Sequence, residues 1–255
     1  MTYVSPLLNI LSKNVRNECK SMTRDFCEIE KLQSSVRDFG PFINGSISNI
    51  EKKIILILQK IKPELQITKK FKDDLKDCWI VDFIDNRLNF SRANENFYIN
   101  ISLKEENEIK ASFFFNPVRD ESFFFQKGLG SFKNDERIRV SCKKKISNSV
   151  ISIFKKIEES DDLEGIIFAK NILSKEKVSQ RESGSIFSDL CSMASGKLDC
   201  CLFANPCKKI ISICNLITRE SGGMVINLVF KDSKIYLAGN KYIEKLVKEM
   251  LENNN

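Results

Sequence analysis

The sequence predicts a fold of mixed α and β layers, and three stretches of pattern predict it. Apolar residues recur at steps of three and four through about the first sixty positions. They alternate with polar residues between 97 and 141, and beyond 145 strand-like and helix-like segments alternate. The chain has 255 residues, 42% hydrophobic and 29% charged. That is the composition of an ordinary folded domain, and the length buries a large core in one domain or in two joined halves.

In order along the chain, Leu8, Leu11, Val15, Cys19, Met22, Phe26 and Ile29 trace one amphipathic helix from Pro6 to about Ser34. Gly40-Pro41 and Asn44-Gly45 read as a break. A second helix follows from Asn49 to Lys62, and Thr68 to Asp77 reads as a polar loop. Phe97, Ile99, Ile101 and Leu103 alternate with polar residues, as do Ile109, Ala111, Phe113 and Phe115, which predicts a hairpin. Ser122 to Gln126 and Arg137 to Ser141 read as further short strands. The later strands are Val150 to Phe154, Gly165 to Ala169, Asp199 to Ala204, Met224 to Phe230 and Ile235 to Ala238. Helices fill Gly184 to Ser195, Lys208 to Ser221 and Lys241 to Glu252. The organisation expected is an N-terminal α+β half, 1–147, and a C-terminal α/β half, 148–255, joined as one compact unit.

Composition removes several chemistries. There is no histidine, so no Ser-His-Asp, Cys-His or His-metal mechanism is open to this chain. The nine cysteines are odd in number and lack paired C-x2-C spacing, which favours reduced thiols acting as small hydrophobes. A formal net charge of +7 biases the chain toward anionic partners. The basic run Lys143 to Lys145 is a short solvated charge run before it is a nucleic-acid contact. No apolar stretch approaches the roughly 20 residues of a membrane span, and the N-terminus lacks a secretory pattern, so no membrane and a cytoplasmic location are expected.

One segment carries chemistry, Trp79-Ile80-Val81-Asp82-Phe83-Ile84-Asp85-Asn86-Arg87-Leu88-Asn89-Phe90. An apolar strand ends in two aspartates three residues apart. Such a pair can aim two hard carboxylate ligands, with the Ile84 carbonyl between them, at a Mg²⁺ ion. Standing alone, the same pattern is also that of a turn with solvated aspartates.

The segment resembles the first signature of the inositol monophosphatase family, W-[IV]-[IV]-D-P-[IL]-D-G-T-x-N-F. The likeness continues through Asn116-Pro117-Val118-Arg119-Asp120-Glu121 and Lys127-Gly128-Leu129-Gly130. It resumes from Gly184-Ser185 through Ser195-Gly196-Lys197-Leu198-Asp199 to Arg219-Glu220-Ser221-Gly222-Gly223. The resemblance implies a layered αβαβα sandwich of the sugar-phosphatase type, usually dimeric. It also implies a Mg²⁺-dependent phosphomonoesterase acting on inositol phosphates or related sugar phosphates. The SuhB-type extragenic suppressors, which associate with the transcription machinery, are its bacterial relatives.

The departures from the pattern fall on the working residues. Asp82, Ile84 and Asp85 match the two ligating aspartates and the ligating carbonyl, a residual metal site. The following Gly-Thr is Asn86-Arg87, and the stretch where a metal-bridging glutamate is expected reads Ile67-Thr68-Lys69-Lys70. The second signature, P-W-D-x-A-A-G, reads Lys208-Lys209-Ile210-Ile211-Ser212-Ile213-Cys214, with Ile210 in place of the ligand aspartate. Replacing an acid by isoleucine removes both charge and ligand. By this resemblance Asn86, Arg87, Lys69, Lys70 and Lys209 form an anion site in place of metal, and Gly184-Ser185 supplies backbone N–H groups to a substrate. Two functions follow. The first is a non-catalytic interaction or anion-binding protein of the SuhB kind, a homodimer with a transcription-machinery partner and no cofactor. The second is an active phosphatase of a phosphate-bearing small molecule, with Mg²⁺ as its cofactor.

Overall fold

The computed structural model describes residues 4–34, 38–154, 163–230 and 233–253. The chain divides into two compact units, Met1–Glu136 and Arg137–Asn255.

In the first unit Ser5 caps helix α1 (Pro6–Glu18), its hydroxyl accepting from the Leu8 amide, with Pro6 in the first turn where its missing N–H costs nothing. Helix α2 (Lys20–Leu32) follows after a single residue. The single helix expected from Pro6 to Ser34 is therefore two. Cys19 keeps a helical φ of −79° but a ψ of −3°, which shifts the ladder without breaking the apolar stripe. Helix α3 (Gly40–Ile61) begins nine residues before its expected start. The break expected at Gly40-Pro41 and Asn44-Gly45 lies inside its first two turns. Proline suits the first turn, and burial of Ile43, Ser46 and Ile50 extends the helical face through a weak former.

These helices cover one face of a seven-stranded sheet in chain order. Its strands are β1 (Gln66–Thr68), β2 (Cys78–Asp82), β3 (Ile99–Glu105), β4 (Glu108–Asn116), β5 (Glu121–Gln126), β6 (Gly130–Lys133) and β7 (Glu136–Arg137). Helix α4 (Arg87–Ser91) follows β2. Only β1–β2 is parallel among the pairings from β1 to β6. The strand expected over Arg137–Ser141 is limited to its first residue. Trp79, Val81, Ile101, Leu103, Phe113 and Phe115 face the helices. The alternate positions are buried as well, and several are polar: Asn100, Ser102, Lys104 and Ser112. The period-two pattern thus marks two buried faces of different polarity rather than a core face and a wet one.

The second unit holds a five-stranded sheet in the order β11-β12-β10-β8-β9. The strands are β8 (Val150–Phe154), β9 (Ser179–Arg181), β10 (Cys200–Ala204), β11 (Met224–Phe230) and β12 (Ser233–Gly239). Strands β9, β8 and β10 run parallel, and β12 and β11 are antiparallel. Helices α5 (Leu163–Lys175) and α8 (Lys241–Asn253) pack on one face through Ile166, Ala169, Ile243 and Val247. Helices α6 (Ile186–Ala194) and α7 (Lys208–Glu220) take the other.

The strand expected over Gly165–Ala169 is the start of α5. A short apolar run does not distinguish buried helix from buried strand. A Cβ on Gly165 would sit 2.7 Å from the Ser233 side chain, so the glycine is there to let helix and sheet approach. All nine cysteines are free thiols, six of them buried (Cys19, Cys78, Cys191, Cys200, Cys201 and Cys214). No helix among the described residues is long and apolar enough to cross a membrane.

Candidate functional site

Strand β2 delivers Asp82 to the edge of the first unit's buried polar face, opposite Asn100 on β3. A hydrogen-bonded row leads to it: Ser102 lies 2.8 Å from Ser112 and donates to Asn100 Oδ1 at 2.9 Å. Asn100 Nδ2 then donates to Asp82 Oδ2 at 3.2 Å. The polar residues that alternate with Ile99, Ile101 and Leu103 therefore orient an acid at the strand end. Their period was readable in the sequence, but their burial was not.

The turn after Asp82 is closed by its second aspartate. The Asp85 amide donates to the Tyr98 carbonyl at 3.1 Å, and the Tyr98 amide donates to Asp85 Oδ1 at 2.8 Å. Ile84 lies half-buried between the two acids. Asn86 caps α4, its side-chain oxygen accepting from the Asn89 amide at 2.7 Å. Asn89 donates to the Asn96 carbonyl at 2.6 Å, and Phe90 is buried edge-on against Phe97 with ring centroids 5.3 Å apart. The whole motif is thus tied down as a turn.

Two of the cations expected beside it, Arg87 and Lys69, have partners on α3. Arg87 is exposed, and its guanidinium donates to Asn44 Oδ1. Lys69 Nζ lies 2.7 Å from Glu51 Oε1 and 5.2 Å from the centroid of the Phe83 ring. Lys70 is exposed, in a local turn in which its amide donates to Thr68 Oγ1. Asn44 and Glu51 were not foreseen, because the sequence placed the first in a break and gave no register between α3 and the 69–77 segment.

That segment is anchored by Lys104, a fully buried lysine of β3. Its ammonium donates to the carbonyls of Lys72 at 2.7 Å and Leu75 at 2.5 Å, and lies 4.3 Å from the Phe71 ring centroid. The sequence held no signal for this beyond a lysine at an alternating position.

In the second unit Lys209 and Ile210 occupy the first turn of α7, both half-buried. That helix has no side-chain cap and no acid in its first turn. Phe203 on β10 is buried. Gly184 has a left-handed φ of +78°, and Ser185 caps α6 by accepting from the Ser188 amide at 3.0 Å. The Ser185 amide donates to Ser183 Oγ at 3.1 Å. Below it, burial pushes the Asp189 carboxyl up to about 6, while hydrogen bonds from Ser152 and Ser183 hold it down.

Residues 50–252 match the family model of the inositol monophosphatase family. The chain belongs to the inositol monophosphatase family. It is 26% identical to the inositol-1-monophosphatase of Rhizobium meliloti over 258 residues, covering 97% of each chain. It is 24% identical to the Nus factor SuhB of Haemophilus influenzae, over 97% of this chain and 95% of that one. The crystal structure of the extragenic suppressor protein SuhB from Bartonella henselae superposes with a TM-score of 0.79 at 25% identity, covering 98% of this chain and 100% of that one. The fold is therefore the family's layered α/β sandwich, with helices on one sheet face in the first unit and on both in the second.

Family membership raises the question of whether these residues fit the implied Mg²⁺ ions. Clustered dications need several hard carboxylate oxygens converging from more than one element. Among the described residues no group of three or more His, Cys, Asp or Glu side chains is arranged to hold a metal ion. Asp82 and Asp85 are two carboxylates with the Ile84 carbonyl between them, and the first turn of α7 offers isoleucine and lysine instead of an acid. The donor set does not fit a multi-metal centre.

Proposed function

We propose that this family member has lost or greatly reduced phosphatase activity and acts as a non-catalytic interaction or anion-binding protein of the SuhB kind. The observation that carries the reading is the first turn of α7, where Lys209-Ile210 stands at the second family signature. A hydrophobic side chain there neither binds a cation nor neutralises a phosphate. The lysines and arginine at positions 69, 70 and 87 support an anion site in the first unit in which fixed cations take the role of metal. In this reading the protein is a cytoplasmic homodimer with a partner in the transcription machinery and no resident cofactor. The relative named Nus factor SuhB supports that partner class.

A phosphate-release assay on inositol 1-phosphate with Mg²⁺, run beside an Asp82→Asn control, tests it. No turnover above the control is expected. Mg²⁺-dependent turnover that the substitution abolishes would establish the alternative, a working phosphomonoesterase built on the Asp82/Asp85 turn. Phosphate binding that persists in excess chelator is expected of an anion site made of side-chain cations.

A further inference from the structure

The first unit holds another concave feature, a cleft of about 360 Å³ between the α1–α2 face and the β4–β5 connection. That is within the range of about 300–1,000 Å³ typical of small-ligand sites. It shares no residue with the β2–α4 turn.

Three cations line one wall: Arg16, Lys20 and Arg24. They are four residues apart, a spacing that stacks side chains on successive helical turns. The near-helical backbone at Cys19 keeps α1 and α2 in line across this face. The one carboxylate in the wall is Asp120, so three positive charges against one negative leave a net +2. Asp120 is already matched, its Oδ1 lying 3.0 Å from Arg16 Nε. The Arg16 guanidinium also donates to Ser122 Oγ at 3.4 Å and lies 6.0 Å from the Phe115 ring centroid, so it is held in place. Lys20 and Arg24 are exposed and have no carboxylate at ion-pair distance among the described residues.

Like charges at this spacing repel, and of the three only Arg16 has a carboxylate at ion-pair distance among the described residues. The cleft therefore carries a charge excess, a positioned guanidinium and an apolar floor of Phe115 and Pro117. Two or more negative charges on clustered oxygens match the cations, and a compact carbon skeleton matches the floor. We propose that this cleft binds a phosphorylated small molecule, its phosphate held by Lys20 and Arg24 and steered by Arg16.

Isothermal titration of inorganic pyrophosphate into the full chain, with chelator present, reads the site directly. One site is expected in the cleft, beside the one proposed at the β2–α4 turn. Lys20→Glu with Arg24→Glu should weaken binding at least about tenfold, since both charges reverse beside the ligand. Both positions are exposed, so the fold should survive. Asp120→Asn should strengthen binding, because it removes the one negative charge in the wall. Lys69→Ala with Arg87→Ala removes the uptake proposed at the β2–α4 turn, and the binding that remains, still sensitive to the double reversal, is the cleft's. Absence of pyrophosphate binding, or affinity indifferent to the double reversal, overturns the proposal. So does binding of a short single-stranded RNA with no pyrophosphate uptake.

Discussion

The turn after β2 and the first turn of α7 are two of the places where the resemblance expects metal-binding acids, and they are built differently. In the turn after β2 each polar side chain has a structural task. Asp85 accepts the Tyr98 amide, Asn86 caps α4, and Asp82 ends a hydrogen-bonded row from Ser112. In the first turn of α7 the helix has no side-chain cap and no acid, and Ile210 is half-buried. An aspartate that also closes a turn is costly to replace whether or not it binds metal. An aspartate whose only task was a ligand is not. The surviving Asp82/Asp85 pair is therefore accounted for by the fold alone, and its presence does not argue for catalysis.

The second unit does keep an acid without a structural task, and the largest effect is expected there. Glu244 of α8 is fully buried, and among the described residues neither carboxylate oxygen meets a donor in good hydrogen-bond geometry. Burial pushes its carboxyl up to about 8 from an ordinary 4.5, with the nearby Ile226 amide opposing in part. Below pH 4.5 the group is protonated in both folded and unfolded chains and costs nothing. Between pH 4.5 and 8 the unfolded chain releases a proton that the folded chain retains, so stability falls as pH rises, and the loss is complete above 8. Glu244→Gln should match wild type near pH 4.5 and exceed it at pH 9 by several kcal/mol, at most about 5 kcal/mol. Urea denaturation at both pH values checks this; a gain that is the same at each would show that ionisation is not involved.

Next in size is Asp85→Ala, expected to destabilise the first unit by about 2 kcal/mol because the buried Tyr98 amide loses its carboxylate. If the midpoint of unfolding does not move, the structural explanation for the aspartate's survival fails. Asn86→Ala should cost about 1 kcal/mol through the lost cap, visible in the same measurement. The smallest effect bears most directly on the contrast between the two turns. Ile210→Asp places an acid near the positive end of α7 and should stabilise by about 0.5 kcal/mol through the helix dipole. Thermal unfolding with and without millimolar Mg²⁺ then asks whether one restored acid recovers metal binding. A Mg²⁺-dependent rise in the variant but not in wild type is expected if Ile210 is the decisive loss.

Much of this was legible without coordinates. The Trp79–Phe90 segment and its resemblance set the family, because a strand ending in two aspartates and an N-F pair depends on local order alone. That the first turn of α7 holds no acid was equally plain, since it depends on residue identity alone. The helical stripe of α1 and α2 was visible because burial on one helix face repeats every three or four residues.

What only the tertiary structure decided were relations across the chain. Whether Asn100, Ser102 and Lys104 face water or the interior depends on what covers the sheet, and the alternation reads the same in both cases. Gly165–Ala169 lies in a helix packed so close to Ser233, 68 positions away in sequence, that a Cβ at 165 would clash. The partners of Lys69 and Arg87, at Glu51 and Asn44, rest on the register of α3 against the segments after β1 and β2. The cleft beside Arg16, Lys20 and Arg24 exists only because the β4–β5 connection closes its far wall. Local pattern specifies periodicity and residue chemistry. The pairing of distant groups is set by packing, and packing decides which charges end up matched and which are left available to a ligand.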